Sequence, residues 1–448
     1  MTTLSTKWRL AVVGLAAILL LALVAACGDD DNTTNTPSAT ASGTANSGSP
    51  TASGAPLTGK LEIFSWWTTG GEAAGLQALY DLYPQQCPGN VTIQNSTIAG
   101  GGGDAARQVL SSRMQGGDPP GTFQIHMGHE LLDSYVASGD MQSLKSLFQA
   151  QGWNNVFPQG VLDIVSKDGE PYSVPVNIHR ANVLWYNTKT FTDNGLTAPK
   201  TFDEFFQVAD ALKAKNITPL ALGDKESFAS VQLLETTLLG SLGPDKYKGL
   251  WTGTTDWTGS DVTDALNTFK KMLSYTNSDH ASLTWDQANQ LVIDGKAGMT
   301  IMGDWLDGDN KAKNFTNSGW VPAPGTSGSY DALSDTFGLP KNAPNPDAVN
   351  CWLKVVGSKA GQEAFNPKKG SICARTDCDT SLFDTYLQSA ISDWKKDTIV
   401  PSLAHGAAAS PSFLSDVSDA VVSFVASQDV ATLQSRLGQA CSDAGVCH

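Results

Sequence analysis

The sequence has no cluster of lysine and arginine. Its 29 basic residues are scattered among 44 acidic ones over 448 positions, and the formal net charge is −15. A phosphate-backbone partner requires neutralising cations gathered in a patch, so nucleic-acid binding is excluded. The glycine run at 100–103 is not followed by the Lys-Ser or Lys-Thr of a phosphate-gripping loop, and reads instead as a tight turn lining a crevice. His126-Met127-Gly128-His129-Glu130 has neither of the His-Glu spacings by which a helix holds zinc, and no local cysteine spacing pairs with a second zinc knuckle. No metal and no other cofactor is therefore expected. No internal repeat is present.

One long apolar run does occur, at 10–26. Lys7 and Arg9 precede it, and it ends in Leu23-Val24-Ala25-Ala26-Cys27. The run is short and wrongly flanked for a permanent span, and small residues before the cysteine suit a signal peptidase. The pattern resembles a bacterial lipoprotein signal, in which the cysteine becomes the diacylated first residue. That resemblance implies a leader at 1–26, a lipid on Cys27, and a chain held on the outer face of the cell membrane. Residues 27–58 follow, dominated by Thr, Ser, Ala, Gly, Asn and Pro, with almost no large apolar side chain. Such a stretch cannot bury enough surface to offset chain entropy and is expected to be a tether reaching roughly 30 Å. Of the seven cysteines, setting Cys27 aside leaves an even number in an oxidising compartment. Cys373 with Cys378 and Cys441 with Cys447 are close enough to close small loops, which leaves Cys87 and Cys351, although all fifteen pairings are formally open.

Residues 59–448 are too many for one comfortable core, so two lobes are expected. Their key stretch is Lys60-Leu61-Glu62-Ile63-Phe64-Ser65-Trp66-Trp67. Apolar residues recur at period two and then become continuous, as in an inner strand covered on both faces. Trp66 and Trp67 then lie at its carboxyl end, where open α/β sheets bind ligands, and Gly70-Gly71 turns the chain into a helix bearing Leu76, Leu79, Leu82 and Tyr83. Further strands are expected at 91–93, 122–126, 181–186 and 296–302, and a hairpin at Asp168-Gly169 is expected to join strands at 161–165 and 172–176. Helices are expected from Ala105, with Val109, Leu110 and Met114 on one face, and through Val262, Leu266, Phe269 and Leu273. Two more start at the capping boxes Thr201 with Glu204 and Thr284 with Gln287. Strands alternating with helices imply α/β lobes with parallel-rich sheets.

The segments EIFSWW, GGDPPGTFQIH, SVPVNIHR, DGKAGMTIMGDW, SDTFGLP, NPKKGS and SLAHGA, in this order over nearly the whole of 59–448, resemble the glucose-type sugar-binding proteins that feed ABC importers. The resemblance implies a two-lobe periplasmic-binding-protein-like fold of type II with an interlobe cleft. It implies one lobe from 59–171 with 301–341 and the other from 172–300 with 342–448. It implies sugar contacts at Trp66, Trp67, Glu72, Gln124, His126, Trp285, Trp305, Asp335, Lys369 and His405. Two departures stand out: the turn before Glu72 is one residue longer than the family pattern, and Gly223-Asp224-Lys225-Glu226-Ser227-Phe228 lacks an expected tryptophan. The residue types suit the task independently. Indoles stack on the C–H faces of a pyranose, and carboxylate, ammonium, imidazole and amide groups pair its hydroxyls once water is excluded.

The function this implies is a non-enzymatic, monomeric receptor tethered through Cys27. It captures a hexose, glucose first and galactose or mannose as competitors, and passes it to the transmembrane subunits of an ABC importer. The alternatives are a receptor for an oligosaccharide such as a maltodextrin, a peptide or polyamine receptor, and a glycoside hydrolase in which Glu72 and Asp335 flank a glycosidic oxygen. Asn177 and His179 sit where the chain crosses between lobes and read as lining or structural.

Overall fold

The structure, a computed structural model, describes residues 56–447. The leader at 1–26, the lipid acceptor Cys27 and the tether as far as residue 55 lie outside the described residues. Strand Leu57–Ser65 begins inside the last two positions expected of the tether. Among the described residues no helix is long and apolar enough to cross a membrane.

Strand Leu57–Ser65 is the inner member of the first sheet. Gly89–Thr97 and Thr122–His126 pair with it in parallel, one on each side, and Asp335–Gly338 and then Ser173–Pro175 extend the sheet antiparallel. Leu61, Ile63 and Phe64 are buried because helices cover both faces. Helix Gly70–Gln86 packs on Trp305–Ala312, Pro346–Gly357 and Lys359–Lys369. Its entry is close-fitting: a Cβ at Gly71 would lie 2.4 Å from the Lys368 carbonyl oxygen, so glycine alone admits the approach of these helices.

The second sheet runs in the order Ser318–Pro322, Val183–Asn187, Ala297–Ile301, Thr218–Ala221. Only its last pair is parallel. A third, small sheet joins Thr398–Pro401, Ser329–Leu333 and His179–Arg180. Two of these strands lie on the segments that carry the chain between the larger sheets. Helices Phe228–Thr252, Ser260–Leu273, Pro411–Ser427 and Val430–Asp443 form a second core, in which Phe269 and Phe424 stack at 5.5 Å and Trp251 meets both Trp257 and Phe413. The capping boxes at Thr201 with Glu204 and at Thr284 with Gln287 both form.

Three expectations change. Residues 161–165 are not a strand: Gln159–Ile164 is a helix that buries Val161 and Leu162, and the hairpin around Asp168-Gly169 joins only Ser166–Lys167 to Glu170–Pro171. Val161 and Val165 are four apart, which is one face of a helix as well as a strand run, and Pro158 at the N-cap decides for the helix. Ser318–Pro322, expected with the first lobe, pairs into the second sheet. Pro346–Gly357 and Lys359–Lys369, expected with the second lobe, pack against the first helix.

The cysteines pair as Cys87–Cys351, Cys373–Cys378 and Cys441–Cys447. The first spans 264 residues and the others 5 and 6. By the loss of chain entropy in the unfolded state, the long closure is worth about 5 kcal/mol and each short one about 2 kcal/mol. Replacing Cys87 and Cys351 together by Ala should lower the urea midpoint more than removing either short pair; equal losses from all three would contradict this account.

Candidate functional site

One edge of the first sheet delivers most of the site: the carboxyl ends of Leu57–Ser65 and Thr122–His126 and the amino end of the antiparallel strand Asp335–Gly338. Pairing of Asp335 with His126 in the ladder puts a carboxylate beside an imidazole, with His126 Nε2 3.8 Å from Asp335 Oδ1. Strand Leu57–Ser65 presents Trp66 and Trp67 next to them. The Trp66 ring sits edge-on to His126 at 5.1 Å, and a Cβ at Gly103 would be 2.8 Å from it, so the glycine turn exists to admit the indole. Trp67 packs on Phe337 and Phe365, and its Nε1 has no hydrogen-bond partner among the described residues.

Lys369 ends helix Lys359–Lys369 and is only 2% exposed. Its ammonium donates to Glu72 Oε1 at 3.0 Å and lies 5.5 Å from the Trp67 ring and 5.8 Å from the Trp305 ring. Burial lifts the Glu72 carboxyl above its usual range, against the pull of Lys369. Asp335 goes the other way. Burial alone would raise it, but His179, Lys369 and His126 together hold it well below the usual carboxylate range. Gln124 Nε2 and Asn177 Nδ2 donate to its two oxygens at 2.7 and 2.8 Å, and its own N–H donates to Asn177 Oδ1 at 2.7 Å. His179 is hydrogen-bonded to Asp304 through Nδ1. Burial and Lys369 oppose its protonation, yet Asp304 and Asp335 raise its pKa. His126 Nδ1 meets Glu130 Oε2 at 2.9 Å, and Arg107 lies behind Glu130 at 3.6 Å.

The opposite wall comes from the second core. Trp285 opens helix Trp285–Ile293, Phe228 opens Phe228–Thr252, and His405 sits in the loop after Thr398–Pro401. His405 packs against Trp305 at 5.1 Å and His126 at 5.3 Å, and Ser402 Oγ is 2.9 Å from its Nδ1. Burial and the neighbouring His126, His179 and Arg107 keep its pKa well below the ordinary value, so its imidazole is neutral.

Every residue expected to touch ligand, except Gln124, lines one cavity: Trp66, Trp67, Glu72, His126, Trp285, Trp305, Asp335, Lys369 and His405. The space among them is narrow: about 30 Å3 admits the centre of a water molecule. Gln124 stands behind the wall instead. It is wholly buried, with Oε1 accepting from Trp66 N at 3.2 Å and Nε2 spent on Asp335. Glu72 does line the cavity despite the longer turn before it. Phe228 and Leu333 also line it. Phe228 closes the wall where a tryptophan was missing from 223–228. Its signal was an aromatic at the end of a polar stretch just ahead of an apolar helix.

An outer groove, in which about 1020 Å3 admits the centre of a water molecule, adjoins the cavity through Phe228. Helices Asp104–Gln115 and Pro411–Ser427 flank it, and its lining is rich in hydroxyl and amide groups, among them Gln108, Ser111, Ser112, Gln115 and Tyr135.

The family model for bacterial extracellular solute-binding proteins matches residues 67–363. An uncharacterised ABC transporter extracellular-binding protein of Pyrococcus horikoshii is 37% identical over 83% of this chain and 85% of its own length. A probable sugar-binding periplasmic protein of Mesorhizobium japonicum is 32% identical over 82% of this chain and 89% of its own. Among solved structures, the bacterial solute receptor AcbH, described as preferring β-D-galactopyranose, superposes with a TM-score of 0.75 at 19% identity, covering 86% of this chain and 98% of its own.

Replacing Asp335 by Asn leaves Lys369 and His179 without their shared counter-charge, and removing one partner from a buried charge set costs roughly 3–5 kcal/mol. The folded carboxyl titrates below its unfolded value, so its stabilisation is present above the unfolded pKa and is lost as pH falls through the folded one. Asp335→Asn should therefore melt well below wild type at pH 7, with the gap narrowing by about 1.4 kcal/mol for each pH unit below about 4. A gap that stays constant from pH 7 to pH 3 would contradict this.

Proposed function

The chain belongs to the family of bacterial extracellular solute-binding proteins, and we propose that it is the sugar-capturing receptor of an ABC importer, with a single hexose, D-glucose, as its ligand. The observation that carries the reading is the composition of the cavity. Indoles of Trp66, Trp67, Trp285 and Trp305 surround a buried set of directional hydrogen-bonding groups in one narrow space. Trp and polar groups in this ratio suit a pyranose, whose C–H faces stack and whose hydroxyls each need a partner once dry.

The charge arrangement supports a neutral ligand. Lys369 is paired with Glu72 and His179 lies between Asp304 and Asp335, so the cationic side chains of the cavity are committed to its carboxylates and none is free to take a peptide carboxylate. The probable sugar-binding protein of Mesorhizobium japonicum adds support for the ligand class. Glycoside hydrolysis needs one carboxyl protonated next to a nucleophile or water. Glu72 is already bonded to Lys369 and Asp335 to Gln124 and Asn177, so both carboxyls are committed to binding geometry.

In this reading Trp66, Trp67, Glu72, His126, Asp335 and Lys369 belong to one lobe, built on the first sheet with 346–369. Phe228, Trp285 and His405 belong to the other, which includes 318–322. Sugar first meets one wall and rotation about the crossing strands brings the other over it; only contacts made in the closed form can drive the change. The chain is held outside the cytoplasm by lipid on Cys27 and hands the sugar to the importer's transmembrane subunits. A second reading, a receptor for a longer saccharide, is favoured by the outer groove, which has room for further sugar units beyond the cavity.

Calorimetric titration with D-glucose, D-galactose, D-mannose, maltose and maltotriose tests both readings. We expect saturable binding of D-glucose with one site, and no gain in affinity on adding a second or third ring; tighter binding of maltotriose selects the second reading, and no heat with any of them removes both. Trp305→Ala should abolish the melting shift induced by glucose, and an unchanged shift would mean that the site is elsewhere.

A further inference from the structure

Behind His405 lies a buried carboxylate that the binding cavity does not touch. Glu235, on helix Phe228–Thr252, is wholly buried and accepts from the N–H groups of Leu403 and Ala404 at 2.6 and 2.9 Å. Ser402 Oγ lies 3.0 and 3.2 Å from its two oxygens and, on its other side, 2.9 Å from His405 Nδ1. Tyr247 Oη stands 3.4 Å away but has the Pro401 carbonyl as a nearer acceptor at 3.1 Å. The remaining neighbour is Asp331, a fully buried carboxyl whose oxygens have no hydrogen-bond partner among the described residues.

With Glu235 ionised, the proton inventory of this chain has one consistent solution. Ser402 has a single hydroxyl proton. A carboxylate only accepts, so that proton goes to Glu235, and Ser402 Oγ can meet His405 Nδ1 only as the acceptor. His405 Nδ1 must then carry the hydrogen, and Nε2 is the bare nitrogen left for the cavity. We propose that Glu235 is a positioning residue for the ligand: through Ser402 it holds His405 as the Nδ1–H tautomer, so that Nε2 accepts a hydrogen bond from a ligand hydroxyl. This rests on the reading of the cavity as the ligand site.

The charge states agree with the geometry. Burial and the charge of Glu235 hold Asp331 well above the carboxylate range, against the pull of Arg180. Burial also lifts Glu235, to about 7, against the hydrogen bonds from Ala404, Ser402 and Leu403. At pH 8, above that value, Glu235 carries its charge. His405 is neutral there, as its burial beside His126, His179 and Arg107 requires.

Glu235→Gln is the informative variant because it keeps the shape. The amide oxygen can still take the Leu403 and Ala404 N–H groups, while its NH2 donates to Ser402 Oγ and turns the hydroxyl proton towards His405 Nδ1. The relay then reverses, and His405 becomes the Nε2–H tautomer. The test is 15N NMR of the full chain labelled in histidine, ligand-free at pH 8, with His405 assigned by its loss in His405→Gln. Wild type should show Nδ1–H and a bare Nε2, and Glu235→Gln the opposite, with about tenfold weaker D-glucose binding by calorimetry. Ser402→Ala breaks the relay without touching Glu235 and should give a mixture of both tautomers. A wild-type His405 found as Nε2–H, or a tautomer unmoved by either variant, would overturn the proposal. Failure of D-glucose to bind wild type would instead fault the reading of the cavity, since the tautomer is read without sugar.

Discussion

The site depends on keeping Lys369 charged out of water. Its ammonium sits between two indoles with Glu72 as direct partner and Asp335 as a second negative neighbour. An isolated ammonium so placed would lose its proton or unfold the region, because removing an ion from water costs several kcal/mol even after relaxation. Everything around it follows from the need to satisfy that charge and its partners. Gln124 and Asn177 tie down Asp335, and Asp304 does the same for His179. The close approach at Gly71 lets the helix bearing Glu72 reach the helix ending in Lys369. The groups come from segments far apart in the chain, so folding of both sheets is a precondition for any of them to be satisfied.

Such a set is expensive to bury and rigid once buried, which is what a receptor for a neutral polyol needs. Cations already bound to carboxylates leave polarised donors and acceptors fixed in place. Fixed indoles supply the apolar faces. The wall formed by Phe228, Trp285 and His405 is less charged and is supported from behind by Glu235, so one wall offers charged partners and the other aromatic ones.

Much of this arrangement was legible in the residues themselves. The alternation in Leu61-Glu62-Ile63-Phe64 identifies an inner strand, and the position of Trp66 and Trp67 after it places them at the ligand-facing edge. Capping boxes marked two helix starts because their signal is local. What could not be read depends on tertiary placement. Gln124 shares a strand face with His126, yet the antiparallel insertion of Asp335–Gly338 next to that strand turns it into a support for Asp335. Helices Pro346–Gly357 and Lys359–Lys369 stay with the first sheet after Asp335–Gly338, and the chain crosses to the second core only beyond them, a path set by packing on Gly70–Gln86 and fastened by Cys87–Cys351. Glu235 and Asp331 carry no motif at all; only burial reveals them.

The central claim is that these scattered side chains form one pocket for one sugar ring. A crystal structure of the chain grown with D-glucose tests it most directly. The account predicts a single pyranose stacked among Trp66, Trp67, Trp285 and Trp305, with hydroxyls within hydrogen-bonding distance of Asp335, Lys369 and His405 Nε2. Sugar found only in the groove between Asp104–Gln115 and Pro411–Ser427, or a cavity without sugar at saturating concentration, would contradict it.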